Sequence, residues 1–167
     1  MKLLRGVAVG VVLMATVACS KGVVSDPSFV ETAAIANMFE IQSSELALTK
    51  ATNADLKTFA QMIIDDHTKA GNELKTLADS GDVPEVTGVP ADLDSDHKAK
   101  LAELAGADAA SFDAKYRSMQ IDAHKEAVEL FQSEADHGKS DALATWARNT
   151  VPTLQGHLTR IQAITVQ

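Results

Sequence analysis

The sequence predicts an all-α protein: four long helices in a bundle, with one long crossover that carries a short extra helix. Three observations predict it. The chain beyond its first two dozen residues is rich in Ala, Leu, Glu and Lys, and aromatics make up only 4% of the whole, a composition that favours helix. Proline and glycine cluster instead of scattering. Apolar residues recur at alternating steps of three and four, the spacing of a buried helical seam.

The front of the chain reads as an address. Lys2 and Arg5 precede an uncharged, largely apolar run from Gly6 to Ala18. That is short for a membrane span and right for a secretory leader, so residues 1–18 are expected to be a signal peptide. It ends at "TVACS", which resembles a bacterial lipobox, although Thr16 stands where Leu, Val or Ile is usual. Cys19 is the single cysteine, so no internal disulfide forms. It is expected to carry lipid, with residues 19–26 as a tether; the alternative is a cut after Ala18 that leaves a free thiol. Ser20 resembles the outer-membrane sorting pattern. The expected location is therefore the cell envelope, facing the periplasm from the outer membrane.

The bundle domain is expected over 27–167. The first helix opens near Asp26-Pro27, with proline in its first turn, and runs to about 50. The second opens at the capping residue Asn53 and runs to about 80, where Gly81 ends it. "GDVPEVTGVPADL" is a connection, and residues 94–104 form a short helix on it. The third long helix spans about 109–136. The fourth opens at Ser140 or Asp141 and runs to about 164, with Pro152 inside it, where it should kink or split the helix. Short joins make antiparallel pairs. The long join over 81–108 can run the length of the bundle and set the second and third long helices parallel, as in ferritin-like folds. A simple up-down bundle with a lid is the alternative.

The second helix carries Leu56, Ala60, Ile63, His67, Ala70, Leu74 and Leu77 along one seam. An imidazole thus occupies a core position. The fourth repeats this with Leu143, Ala147, Thr150, Leu154, His157, Ile161 and Ile164. In the first, Glu40 stands opposite a solvent face of Glu31, Gln42, Glu45 and Thr49. In the third, His124 lies at the edge of a face centred on Phe112, Tyr116, Ala123 and Ala127. Measured from the short joins at about 1.5 Å per residue, Glu40 and His67 differ in height by only ~4–6 Å, as do His124 and His157. Four helices each aim one polar residue inward near mid-bundle.

These residues carry a resemblance. "DDHTKAGNELKTLA", "FDAKYRSMQIDAHKEAVELFQSEA" and "TVPTLQGHL" resemble a family of uncharacterised bacterial envelope proteins. Its members are often labelled outer-membrane proteins and grouped with ferritin-like bundles. The resemblance covers about residues 29–164 and includes the spacing of His67, His124, Pro152 and His157. It implies the four-helix fold and an exported location, and no established reaction.

Two readings of the core cluster follow. In one, Glu40, His67, His124 and His157 bind one transition metal, Zn, Fe or Cu, with Asp66, Asp113 and Tyr116 orienting the ligands. In the other, they form a hydrogen-bond network that fixes helix register in an envelope lipoprotein that acts on a protein partner or in stress protection. No Glu-x-x-His occurs at the core histidines, since Ile64, Ile121 and Leu154 stand three before them, so di-iron chemistry is not supported there. His97 and His137 are expected in solvent, and Met38, Met62 and Met119 as core filler. The chain is acidic, with 23 Asp and Glu against 15 Lys and Arg, and has no basic patch, which argues against nucleic-acid binding. No phosphate loop or nucleophile elbow is present.

Overall fold

The computed structural model describes residues 25–83 and 85–166. The expected signal peptide, the lipid site at Cys19 and most of the tether lie outside the described residues. The elements are α1 (Asp26–Lys50), α2 (Ala54–Asp79), α3 (Ser95–Ala105), α4 (Ala109–His137) and α5 (Asp141–Ala163). No strand occurs among the described residues.

Local chemistry explains the starts. Asn53 accepts from the amides of Asp55 and Leu56 at α2, Asp94 from His97 at α3, Asp108 from Ser111 at α4, and Ser140 from Leu143 at α5. Each satisfies amides that the first helical turn leaves without partners. Proline in the first turn opens α1 instead. Gly81 adopts a φ of 82° just beyond α2, a left-handed conformation that stops the helix. Pro152 does not split α5, which runs unbroken across it.

Side-chain ties at the two ends establish helix direction. At one end, Asp113 near the start of α4 accepts from the Thr52 amide (3.0 Å), the Thr52 hydroxyl and the Asn53 amide (2.9 Å) in the α1–α2 turn. Asn53 also donates to the carbonyl of Thr165, beyond the end of α5. At the other end, Asp26 at the start of α1 accepts from the amides of Lys139 and Ser140 in the α4–α5 turn, at 2.9 and 2.8 Å. So α2 and α4 run the same way, and the crossover travels the length of the bundle. That is the ferritin-like arrangement and excludes the up-down bundle. α1 packs on α2 and α4, and α5 packs on the same two, which leaves α2 and α4 on a diagonal. The crossover and α3 lie over α1 and α4, where Leu93 packs with Ile35 and Phe39.

The interior is layered. One apolar cluster includes Phe29, Leu74, Phe131, Leu143 and Leu154. Another includes Leu56, Phe59, Ile63, Phe112, Tyr116 and Ile161. Between them, every long helix contributes buried polar residues: Glu40, Ser43 and Ser44 from α1, His67 from α2, Gln120 and His124 from α4, and His157 from α5.

Asp113 was expected to orient an imidazole. It does not, because it sits three turns of α4 below His124, where its carboxylate is consumed by the α1–α2 turn. Replacing Asp113 with Ala leaves two backbone amides and a hydroxyl to find other partners. Urea denaturation is expected to show a loss of about 2 kcal/mol.

Candidate metal centre

The polar layer is built by register. His67 and His157 interrupt apolar seams on α2 and α5, and Glu40 and His124 occupy the matching height on α1 and α4. Glu40, His67, His124 and His157 are 1%, 5%, 0% and 5% exposed, so all four side chains have left water. The three rings pack with centroids 5.4–5.7 Å apart. One ring nitrogen from each lies within 4.8 Å of the others.

Each ring has one nitrogen engaged and one bare. His67 Nδ1 lies 3.0 Å from Glu40 Oε2 and 3.1 Å from Asn37 Oδ1. His124 Nδ1 donates to the Gln120 carbonyl at 2.9 Å and lies 3.1 Å from Glu40 Oε1. Its proton is directed at Gln120, so Glu40 Oε1 is left without a hydrogen bond. His157 Nε2 pairs with Asp66 Oδ2 at 2.9 Å. The opposite nitrogens, His67 Nε2, His124 Nε2 and His157 Nδ1, are buried with no hydrogen-bond partner. In the neutral rings these partners place the protons on Nδ1, Nδ1 and Nε2, which leaves a lone pair on each bare nitrogen.

The sequence placed Glu40 among the ligands. In the fold its carboxylate faces the Nδ1 edges of His67 and His124; it orients the His67 ring, while the Gln120 carbonyl takes the His124 proton. Asp66, on the flank of α2, reaches His157 on α5 and does for that ring what Glu40 does for His67. Tyr116 bonds Ser44 at 2.8 Å and reaches no histidine by hydrogen bond. Composition and periodicity alone did not single out Asn37 and Gln120. Both stand one helical turn before a residue of the cluster, at 37 before 40 and 120 before 124, and that spacing was the available signal. Gln120 also donates to the Ser43 hydroxyl at 3.0 Å.

The electrostatics follow from burial and proximity. Burial opposes ionisation of Glu40, but His67 and His124, the His67 hydrogen bond and His157 outweigh it and hold the carboxyl at about 2. Burial likewise opposes protonation of His67, but the charge and hydrogen bond of Glu40, with Asp66, raise its pKa. His157 goes the other way. Burial lowers its pKa, the hydrogen bond it donates to Asp66 opposes this, and repulsion from His124 and His67 adds to the lowering. Burial raises Tyr116 well above the usual phenol range, against the Ser44 bond and with the Glu40 charge, so it stays a neutral hydroxyl.

The remaining candidates lie elsewhere. His137 is exposed. His97 is only half-buried, bonded to Asp94 at 2.8 Å, with its ring edge-on to Phe39, so it is less solvated than expected. Met38, Met62 and Met119 pack against the apolar clusters as filler.

Solved structures share this fold. The chain is similar to CopM in the Cu(II)-bound form, with a TM-score of 0.68 and 23% identity over 83% of this chain and 93% of that one. CopM in the Cu(I)-bound form gives a TM-score of 0.66 at 22% identity, over the same shares of the two chains. The Ag-bound form gives 0.65 at 24%, again over 83% and 93%. No curated protein matches. The model of one family matches residues 13–164, nearly the whole chain, and the protein therefore belongs to the family described as Domain of unknown function (DUF4142).

Proposed function

We propose that the chain binds one transition metal through His67, His124 and His157, with Glu40 and Asp66 orienting the rings. The observation that carries this is three buried imidazoles gathered at one level, each with one ring nitrogen that has no hydrogen-bond partner. A closed hydrogen-bond network would leave none of them bare. An unsatisfied buried polar atom costs about 1–3 kcal/mol, so three of them cost about 3–9 kcal/mol, much of a domain's net stability. A cation that accepts three lone pairs relieves that cost.

The donor set agrees. Neutral imidazole suits Cu, Zn and Fe, and each ring donates its other proton to a carboxylate or carbonyl, the usual way of fixing a ligating histidine. Among these metals copper is favoured, because CopM shares the fold and is known in Cu(I)- and Cu(II)-bound forms. With lipid at Cys19, the chain becomes a metal-binding bundle tethered to the envelope.

Metal content by mass spectrometry tests the proposal, on chain exported to a periplasm and purified without chelator or histidine tag. One metal per chain is expected, lost in a His67→Ala, His157→Ala double variant. Asp66→Ala is expected to weaken binding by about 10–100-fold. No uptake of Cu, Zn or Fe by the folded chain would overturn the assignment. Saturating metal should raise the melting temperature, by the equivalent of about 3 kcal/mol at a hundredfold excess over Kd.

The metal-free form has its own pH signature. Glu40 is lowered from 4.5 to about 2 on folding, so its stabilisation is present above 4.5 and fades as pH falls toward 2. That is on the order of 3 kcal/mol. His67 is raised above 6.5, so its share is present below 6.5 and fades as pH rises through the folded value. His157, lowered below 6.5, favours the fold above 6.5 and opposes His67. Denaturation of the metal-free chain across pH 2–8 should show the acid loss below 4.5 in wild type, and Glu40→Gln should remove it.

A further inference from the structure

Beside the cluster lies a cavity of about 40 Å³. A water needs on the order of 10–15 Å³ of such space, so the cavity holds a molecule of about two to four heavy atoms. His67 and His157 line it, and both carry a bare nitrogen and are 5% exposed. Its apolar walls include Ala33, Ala70, Leu74, Ala127, Phe131 and Leu154. Asn37, Asp66, Thr150 and Thr153 form a polar rim, of which Asp66 and Thr153 are exposed. The cavity therefore connects solvent at the α2–α5 side with two of the three rings.

Three side chains supply three donors and leave a bound metal one position short of a closed four-coordinate set. Closed structural sites fill every position with protein, whereas sites that take an exogenous ligand keep one open beside a space. The space is made by alanines on three helices, where a longer side chain on any of them would fill it. An unfilled core volume costs stability. Its chemistry selects among ligands. Glu40 and Asp66 both line it, and their negative charge repels anions. The alanine, leucine and phenylalanine walls give a polar ligand no hydrogen bonds.

We infer that the cavity binds a small neutral apolar molecule of two or three heavy atoms beside the histidine cluster, where it completes the coordination of the metal. This rests on the metal-binding reading above. Carbon monoxide is the probe, because its carbon lone pair bonds Cu(I) with no electron transferred and no bond broken.

The full chain is loaded with Cu(I) without oxygen, its copper content is measured, and carbon monoxide is added under infrared observation. One bound carbonyl per copper is expected. Ala70→Leu and, separately, Ala33→Leu fill the cavity and should weaken carbon monoxide binding at least tenfold while copper content stays at one. Two variants are used so that one which fails to fold, as judged by circular dichroism, leaves the other. Azide added to the Cu(II)-loaded chain should produce no charge-transfer band, since an anion is disfavoured. Copper that loads without a carbonyl band would overturn this inference alone. Carbonyl binding unchanged in both folded variants, or azide binding in preference to carbon monoxide, would overturn it as well. Failure of copper to load would remove the metal-binding reading and this one with it.

Discussion

A carboxylate at the centre of a helical bundle sets the terms for everything around it. Glu40 is 1% exposed, and an ionised group so placed is costly unless charge and hydrogen bonds compensate. The compensation comes from the other three long helices, each of which must deliver an imidazole to the same height. That fixes the register of α1 against α2, α4 and α5 more sharply than apolar packing does, because small apolar side chains can slide past one another at little cost. The two apolar clusters then fill the space on either side of a level that the charge has already determined.

The ends of the bundle repeat the principle with a carboxylate and backbone amides. Asp113 takes the α1–α2 turn, and Asp26 takes the α4–α5 turn. Both tie together segments far apart in sequence, so each closes a long loop whose entropy opposes folding. Glu134, buried beside Asp26, is pushed up to about 7 by burial and by the Asp26 charge. Three acidic levels thus stack along the bundle, and only the central one gathers histidines.

How much of this was legible in the sequence follows from what periodicity measures. Steps of three and four place His67 and His157 on the core side, and counting from short turns gives their height. The caps at Asn53, Asp94, Asp108 and Ser140 and the glycine at 81 mark the helix ends, so the elements and the crossover were readable. His124 was harder, because α4 touches α1 on one side and α5 on the other. Its buried face is wide, and a residue at the edge of one contact lies inside the next. Asp66 is hard to place for the same reason: it flanks its own helix, but α5 lies on that flank. Asp113 shows the opposite failure. Its face suited an orienting role, but face says nothing of height. Bare nitrogens cannot be read from sequence at all, since they depend on where the neighbours' donors point.

The long crossover has a consequence for the field at the centre. Because it carries the chain from the end of α2 back to the level where α2 began, every long helix lies beside neighbours of opposite direction, and two point each way. Their macrodipoles oppose one another, and their effect decays within a turn of the helix ends. At mid-height the backbone contributes little net potential. The charge felt by an ion in the polar layer is then set by nearby side chains, chiefly Glu40 and Asp66. On the metal-binding proposal, replacing either by its amide changes the affinity, or the balance between oxidation states, with little buffering from the scaffold. The fold holds the positions, and two carboxylates tune what sits between them.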